Sequence, residues 1–174
     1  NAAAEARGFP PTWGRHADDW VLSGQPVVAR YDVYDSVLGL QGQTLHADLR
    51  SLPSLSLVTS IADMFGPAGI YSNPMLAGVE KPASVELLDD PGQPGFQIDC
   101  GVRIAGGYSR RPDVTNKHSF SLRFRSRYGA SRLRYPVFAG SDVTSFDVLR
   151  LRASQADAFD FFADKAQYLH DEWG

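Results

Sequence analysis

Ser119-Phe120-Ser121-Leu122-Arg123-Phe124-Arg125 is the stretch on which the fold turns. Side chains of a strand alternate between two faces. This run therefore puts Phe120, Leu122 and Phe124 on one side and Ser119, Ser121, Arg123 and Arg125 on the other, with Lys117 upstream sharing the second face. The reading is a half-buried strand with one core face and one basic face.

Working outward, residues 54–59 alternate apolar and hydroxyl side chains as a half-buried strand does. Residues 61–65 read as a short helical turn stopped by Gly66-Pro67. Further strands are expected over 83–88, closed by the turn sequence Asp89-Asp90-Pro91-Gly92, and over 96–104. Downstream, 146–152 reads as a strand whose Arg150 and Arg152 share a face. From Ala156 the period changes, and Phe159, Phe162, Ala163, Ala166, Leu169 and Trp173 form a stripe at helical spacing. A run of strands followed by a helix predicts an α+β fold, a mostly antiparallel sheet with a C-terminal helix. Residues 1–53 keep no sustained period and read as an irregular lead-in, whose Phe9, Trp13, Trp20, Tyr31 and Tyr34 are expected to dock on the domain formed by 54–174.

The chain has 174 residues, 43% hydrophobic and 21% charged, enough for a core that needs no disulfide or metal. Its one cysteine, Cys100, excludes an internal disulfide and a Cys-rich zinc site, and reads as a core residue. No apolar run approaches the ~18 residues that span a bilayer. The chain starts at Asn1 rather than Met and stops inside the expected helix, so both ends read as cuts in a longer polypeptide.

Charge is unevenly placed. Arg103, Arg110, Arg111, Lys117, Arg123, Arg125, Arg127, Arg132 and Arg134 face a single acid, Asp113, in the same segment. That leaves +8 there and, with the chain at −3, −11 elsewhere. A cationic zone on an acidic protein suits a specific anion more than nucleic acid, and the aromatics of the basic strand alternate inward where stacking platforms must face out. The zone holds a glycine-bearing connection, Gly106-Gly107-Tyr108-Ser109-Arg110-Arg111-Pro112. Its amides can approach phosphate oxygens, or the glycines can simply make a turn. Lys117 and the loop could converge on one polyphosphate, with Asp164, Asp171 or Glu172 of the expected helix orienting the lysine. Equally, Lys117 and the arginines could be the solvated face of a strand. The loop lacks the Lys-Ser/Thr ending of a P-loop. His16, His46, His118 and His170 form no zinc-hydrolase motif, and no Gly-x-Ser-x-Gly occurs. Asp157, Asp160 and Asp164 read as an acidic, solvated helix face.

An ordered set of short motifs carries a resemblance. Leu55-Ser56-Leu57-Val58, Gly69-Ile70-Tyr71-Ser72-Asn73-Pro74, Lys81-Pro82-Ala83-Ser84-Val85-Glu86-Leu87, Gly101-Val102-Arg103-Ile104 with Gly106-Gly107 and Ser109-Arg110, and Lys117-His118-Ser119-Phe120 come first. Tyr128-Gly129-Ala130-Ser131, Tyr135-Pro136-Val137-Phe138, Leu151-Arg152-Ala153 and Asp171-Glu172-Trp173 follow. Together they resemble the opening half of the CotH kinase family, the spore coat protein H-like proteins of bacteria. The resemblance implies the N-terminal lobe of an atypical protein kinase that binds ATP with Mg²⁺ and phosphorylates Ser on partner proteins, in a secreted or cell-surface setting. Carried over by position, Arg103, Gly106, Gly107, Ser109, Arg110, Lys117 and Arg152 would face the nucleotide, with Asp171 and Glu172 supporting. The family's catalytic and metal-binding aspartates would fall beyond Gly174, so this segment would hold no catalytic or metal residue. The pattern is departed from at Ala105, at His118, and at Ser154-Gln155-Ala156-Asp157. An alternative reading is a non-catalytic, pseudokinase-like β-rich module whose basic face meets an acidic polymer.

Overall fold

A computed structural model of the chain describes residues 5–10, 14–15, 21–22, 25–26, 28–29, 44, 47, 50–88, 94–112 and 117–153. The expected C-terminal helix with Asp164, Asp171 and Glu172, the turn at 89–92, and Trp13, Trp20, Tyr31 and Tyr34 lie outside them. What is described is α+β-like, with a mostly antiparallel, half-barrel sheet and few helices.

In the lead-in, β1 (Gly14–Arg15) pairs with β4 (Val28–Ala29), and β2 (Val21–Leu22) with β3 (Gln25–Pro26). Of the lead-in aromatics, Phe9 is described, and it packs edge-to-face on Phe65 with ring centroids 5.8 Å apart. The main sheet begins with β5 (Ser54–Val58), continues through α1 (Ile61–Phe65), and then runs β6 (Lys81–Leu88), β7 (Gln97–Ala105) and β8 (Ser119–Arg123). A small hairpin, β9 (Leu133–Arg134) with β10 (Ser145–Phe146), precedes β11 (Val148–Leu151). The five-stranded order is β11-β8-β7-β6-β5, antiparallel throughout. Each main strand coincides closely with a stretch expected from its alternation. The expected strand over 146–152 is instead divided. Phe146 belongs to the hairpin with β9, and β11 starts at Val148. The carbonyl of Asp147, between them, accepts from the Phe124 amide at 2.9 Å.

Alternation explains the core. Register sets Val102 opposite Leu122, Leu122 opposite Leu149, and Ala83 opposite Cys100, all on one face. Val85, Cys100, Val102 and Leu122 are fully buried there, joined by Ile70 from the segment after α1. Each large aliphatic among them contributes roughly 1.5–3 kcal/mol by leaving water. α1 is fixed at its start by Ser60, whose hydroxyl accepts from the Asp63 amide at 3.0 Å, and is tied to β6 by Lys81 and Asp63 at 3.3 Å.

The second face, read from the sequence as basic, is not uniformly solvated. Ser121 is only 1% exposed, and Glu80 and Tyr128 pack over Gly101. A Cβ at residue 101 would stand 2.5 Å from Glu80 Oε1 and 2.6 Å from Tyr128 Cε2, so glycine is what lets those side chains lie against the sheet.

Cys100 is buried as expected, and burial first, then the charges of Asp99 and Glu80, push its thiol up to about 11. In native buffer near pH ~8, where a normal thiol is partly ionised, thiol reagents should label it no faster than the chain unfolds. Labelling should be immediate in denaturant; rapid native labelling would contradict this packing.

Candidate functional site

The arginines that crowd one segment of the sequence have separate fates in the fold. Glu80, just before β6, has a side chain only 5% exposed and meets three of them. Its carboxylate lies 3.4 Å from Arg123 Nε and 3.5 Å from Arg125 Nη2, and accepts a hydrogen bond from Arg127 Nη2. Tyr128 OH also donates to Glu80 Oε1 at 3.1 Å, and the Arg127 guanidinium stacks 4.7 Å over the Tyr128 ring. Arg132 pairs with Asp147 at 3.1 Å. Burial, then the charges of Arg103 and Arg125, lower the pKa of Arg123, and Glu80 opposes the shift.

Arg110 is engaged differently. Its Nε donates to the Pro74 carbonyl at 2.7 Å and its Nη2 to the Leu76 carbonyl at 3.1 Å. These bonds tie the 3-10 turn Tyr108–Arg110 to the loop between α1 and β6. Two of five guanidinium N–H groups are used, so the rest remain available. Gly106, at φ 111°, starts that turn in the left-handed region, and a Cβ there would collide with the Ser109 hydroxyl. Gly107 carries no such demand, since a Cβ at that position meets nothing.

Between the turn, the loop and the sheet lies a cleft of about 160 Å³. Arg103, Gly106, Arg110, Ser121 and Arg150 line it together with loop residues 73–74 and 76–79, and among the described residues no carboxylate does. Ser121 Oγ is buried without a hydrogen-bond partner. Of the residues expected to face a nucleotide, Arg103, Gly106 and Arg110 meet here. Gly107, Ser109, Lys117 and Arg152 are not among the lining residues, and Lys117 and Arg152 are exposed. Asp171 and Glu172 lie outside the described residues. Ser121 and Arg150 were not among the expected site residues. The alternation at 119–125 and the shared face of Arg150 and Arg152 were the available signals, but choosing Arg150 over Arg152 requires the register.

The donor set suits phosphate oxygens, which accept from guanidinium and hydroxyl groups. Among the described residues no group of His, Cys, Asp and Glu converges to hold a metal ion, and no helix is long and apolar enough to cross a membrane. No protein-family model, curated protein or solved structure matches the chain.

His118 is a strut beside this cleft. It is 5% exposed, packs 5.3 Å from the Tyr71 ring, and its Nδ1 donates to the Ser109 carbonyl at 3.0 Å, joining β8 to the turn. Burial lowers its pKa from the ordinary 6.5, the Ser109 bond opposes this, and the Arg110 charge adds to the lowering. The folded chain therefore binds fewer protons than the unfolded one just below pH 6.5, and stability should fall as pH drops through 6.5 towards the folded value. His118→Asn should flatten that part of a thermal-midpoint profile relative to wild type; parallel profiles would refute it.

The Glu80 cluster gives a second test. Glu80→Gln leaves three guanidinium groups on the sheet without their counter-charge, and should cost about 1–3 kcal/mol of unfolding free energy. The loss should shrink as salt is added, because the arginine partners are partly solvated. An unchanged urea midpoint would show that the cluster is not a stabilising contact.

Proposed function

We propose that the chain is the phosphate-holding part of a CotH-like, kinase-type nucleotide lobe, secreted or at the cell surface, which serves phosphoryl transfer to Ser of a partner protein. One observation carries the reading. Arg103, Gly106 and Arg110, three of the residues that the resemblance assigns to the nucleotide, line one cleft, and among the described residues no carboxylate lines it. ATP with Mg²⁺ fits this donor set through its phosphates, and Mg²⁺ would supply charge neutralisation there. The chain's own residues orient the phosphate end: Gly106 permits the tight turn, and Arg110, held by Pro74 and Leu76, presents its remaining N–H groups.

A second reading, a non-catalytic module that holds an anionic polymer, draws on the exposure of Lys117 outside the lining. An arginine of the cleft separates the two. Calorimetric titration with ATP and Mg²⁺ should give binding that Arg103→Gln weakens by about tenfold, the value of one charge-assisted contact. No binding, or binding indifferent to the substitution, overturns the nucleotide lobe and favours the polymer-binding module.

A further inference from the structure

We infer that Arg103, Ser121 and Arg150 form a seat for a single tetrahedral oxyanion, a phosphate or phosphoryl group. The seat deepens the phosphate-holding reading and rests on it for the cleft, but does not need a nucleoside.

Three independent features converge. The first is register. Ser121 on β8 stands directly opposite Arg103 on β7 and directly opposite Arg150 on β11. Directly paired residues project from the same face of a sheet, with Cβ atoms roughly 4.5–5.5 Å apart. Two long cationic side chains therefore rise on either side of a short hydroxyl, spanning a gap of about 10 Å across the three strands. An oxyanion centred over the serine lies within reach of both forks and of the hydroxyl.

The second feature is an unmade bond. Ser121 is 1% exposed and is among the residues that line the cleft, and its buried Oγ has no hydrogen-bond partner among the described residues. Polar groups removed from water normally find one, and leaving a buried hydroxyl unpaired is destabilising. An acceptor oxygen seated in the cleft would complete it.

The third is uncompensated charge. Arg123, Arg125 and Arg127 share Glu80, and Arg132 has Asp147. Among the described residues neither Arg103 nor Arg150 forms an ion pair, and the wall between them includes no acid. Like charges gathered without a counter-ion repel, and a dianion between them removes the repulsion.

Size sets the ligand class. Pockets that enclose whole drug-sized ligands measure about 300–1,000 Å³. At about 160 Å³ this cleft takes the phosphate end of a molecule and leaves any organic portion outside. A free phosphate ion and the terminal phosphoryl group of a larger ligand share this chemistry.

The test uses the whole 174-residue chain. Inorganic phosphate, against chloride at equal ionic strength, should raise the thermal midpoint and give saturable heat on titration. Arg150→Gln, at an exposed position, should weaken phosphate binding by about tenfold or more. Ser121→Ala should also weaken it while raising the midpoint of the ligand-free chain, because the unpaired hydroxyl is gone. A merely structural serine would not give that opposed pair of effects. Arg134→Gln, at the exposed position of β9 and outside the cleft, should leave phosphate binding unchanged. The seat is overturned if phosphate acts no differently from chloride, or if Arg150→Gln and Ser121→Ala leave its binding intact. Titration with ATP and Mg²⁺ on the same variants separates this from the nucleotide reading. ATP binding without phosphate binding sinks the seat and spares the lobe, whereas phosphate binding without ATP binding supports the seat and sinks the lobe.

Discussion

Val102, Leu122 and Leu149 stand opposite one another across β7, β8 and β11, and this register governs both faces of the sheet. A slip of one residue in β8 would turn Leu122 to the other face and drive Ser121 and Arg123 into the core. Burying an unpaired guanidinium costs far more than any gain from the displaced leucine, so the apolar residues hold the alignment strongly. The alignment that packs the core also sets Arg103, Ser121 and Arg150 in a row behind it. The geometry of the cleft is thus a consequence of core packing.

Electrostatics then decides which arginines can act. Gly101 removes a Cβ where Glu80 and Tyr128 must lie, and Glu80 takes up Arg123, Arg125 and Arg127 in one group. Arg110 is held by backbone carbonyls, which fix its direction without neutralising it. Of the arginines in the run that do not pair with Glu80 or Asp147, Arg103 and Arg110 line the cleft. A diffuse polybasic surface would bind any polyanion weakly. A few arginines on rigid strands instead select ligands that present several oxygens at one point.

The strands were legible because their signal is local. Period-two alternation at 54–59 and 119–125 needs no knowledge of partners, the strand over 83–88 is closed by a turn sequence, and the short helix is stopped by Gly66-Pro67. The candidate site was only partly legible. Arg103, Gly106 and Arg110 came from a motif, but Ser121 looked like a solvated position because alternation gives a face and not what covers it. Arg150 and Arg152 share a face in one strand, and only pairing with β8 distinguishes them. Glu80 lies 47 residues before Arg127, so no window along the chain could reveal that the basic run carries its own counter-charge. The division of 146–152 between two ladders falls where the apolar positions shift from Phe146 and Val148 to Leu149 and Leu151, and the partners themselves lie beyond any local window.

Kinases hold a nucleotide with a glycine-bearing hairpin and a strand lysine, and they accelerate transfer with groups that orient the acceptor hydroxyl and neutralise charge as it moves. In the proposed kinase reading the cleft would be the first kind of part in altered form, with arginines and a hydroxyl where a lysine would serve. Arginine forks grip oxygens bidentately, and a grip that is equal before and during transfer raises affinity without raising the rate. Rate requires contacts that strengthen only in the transition state, together with a base near the acceptor. Among the described residues of the cleft wall, no carboxylate is placed to act as such a base. Within the proposed kinase reading, the described residues would therefore serve as the holding half of a two-part machine. Within the seat reading, the same physics makes them sufficient for binding, because a fixed row of two cations and one hydroxyl needs no further residue to recognise a dianion.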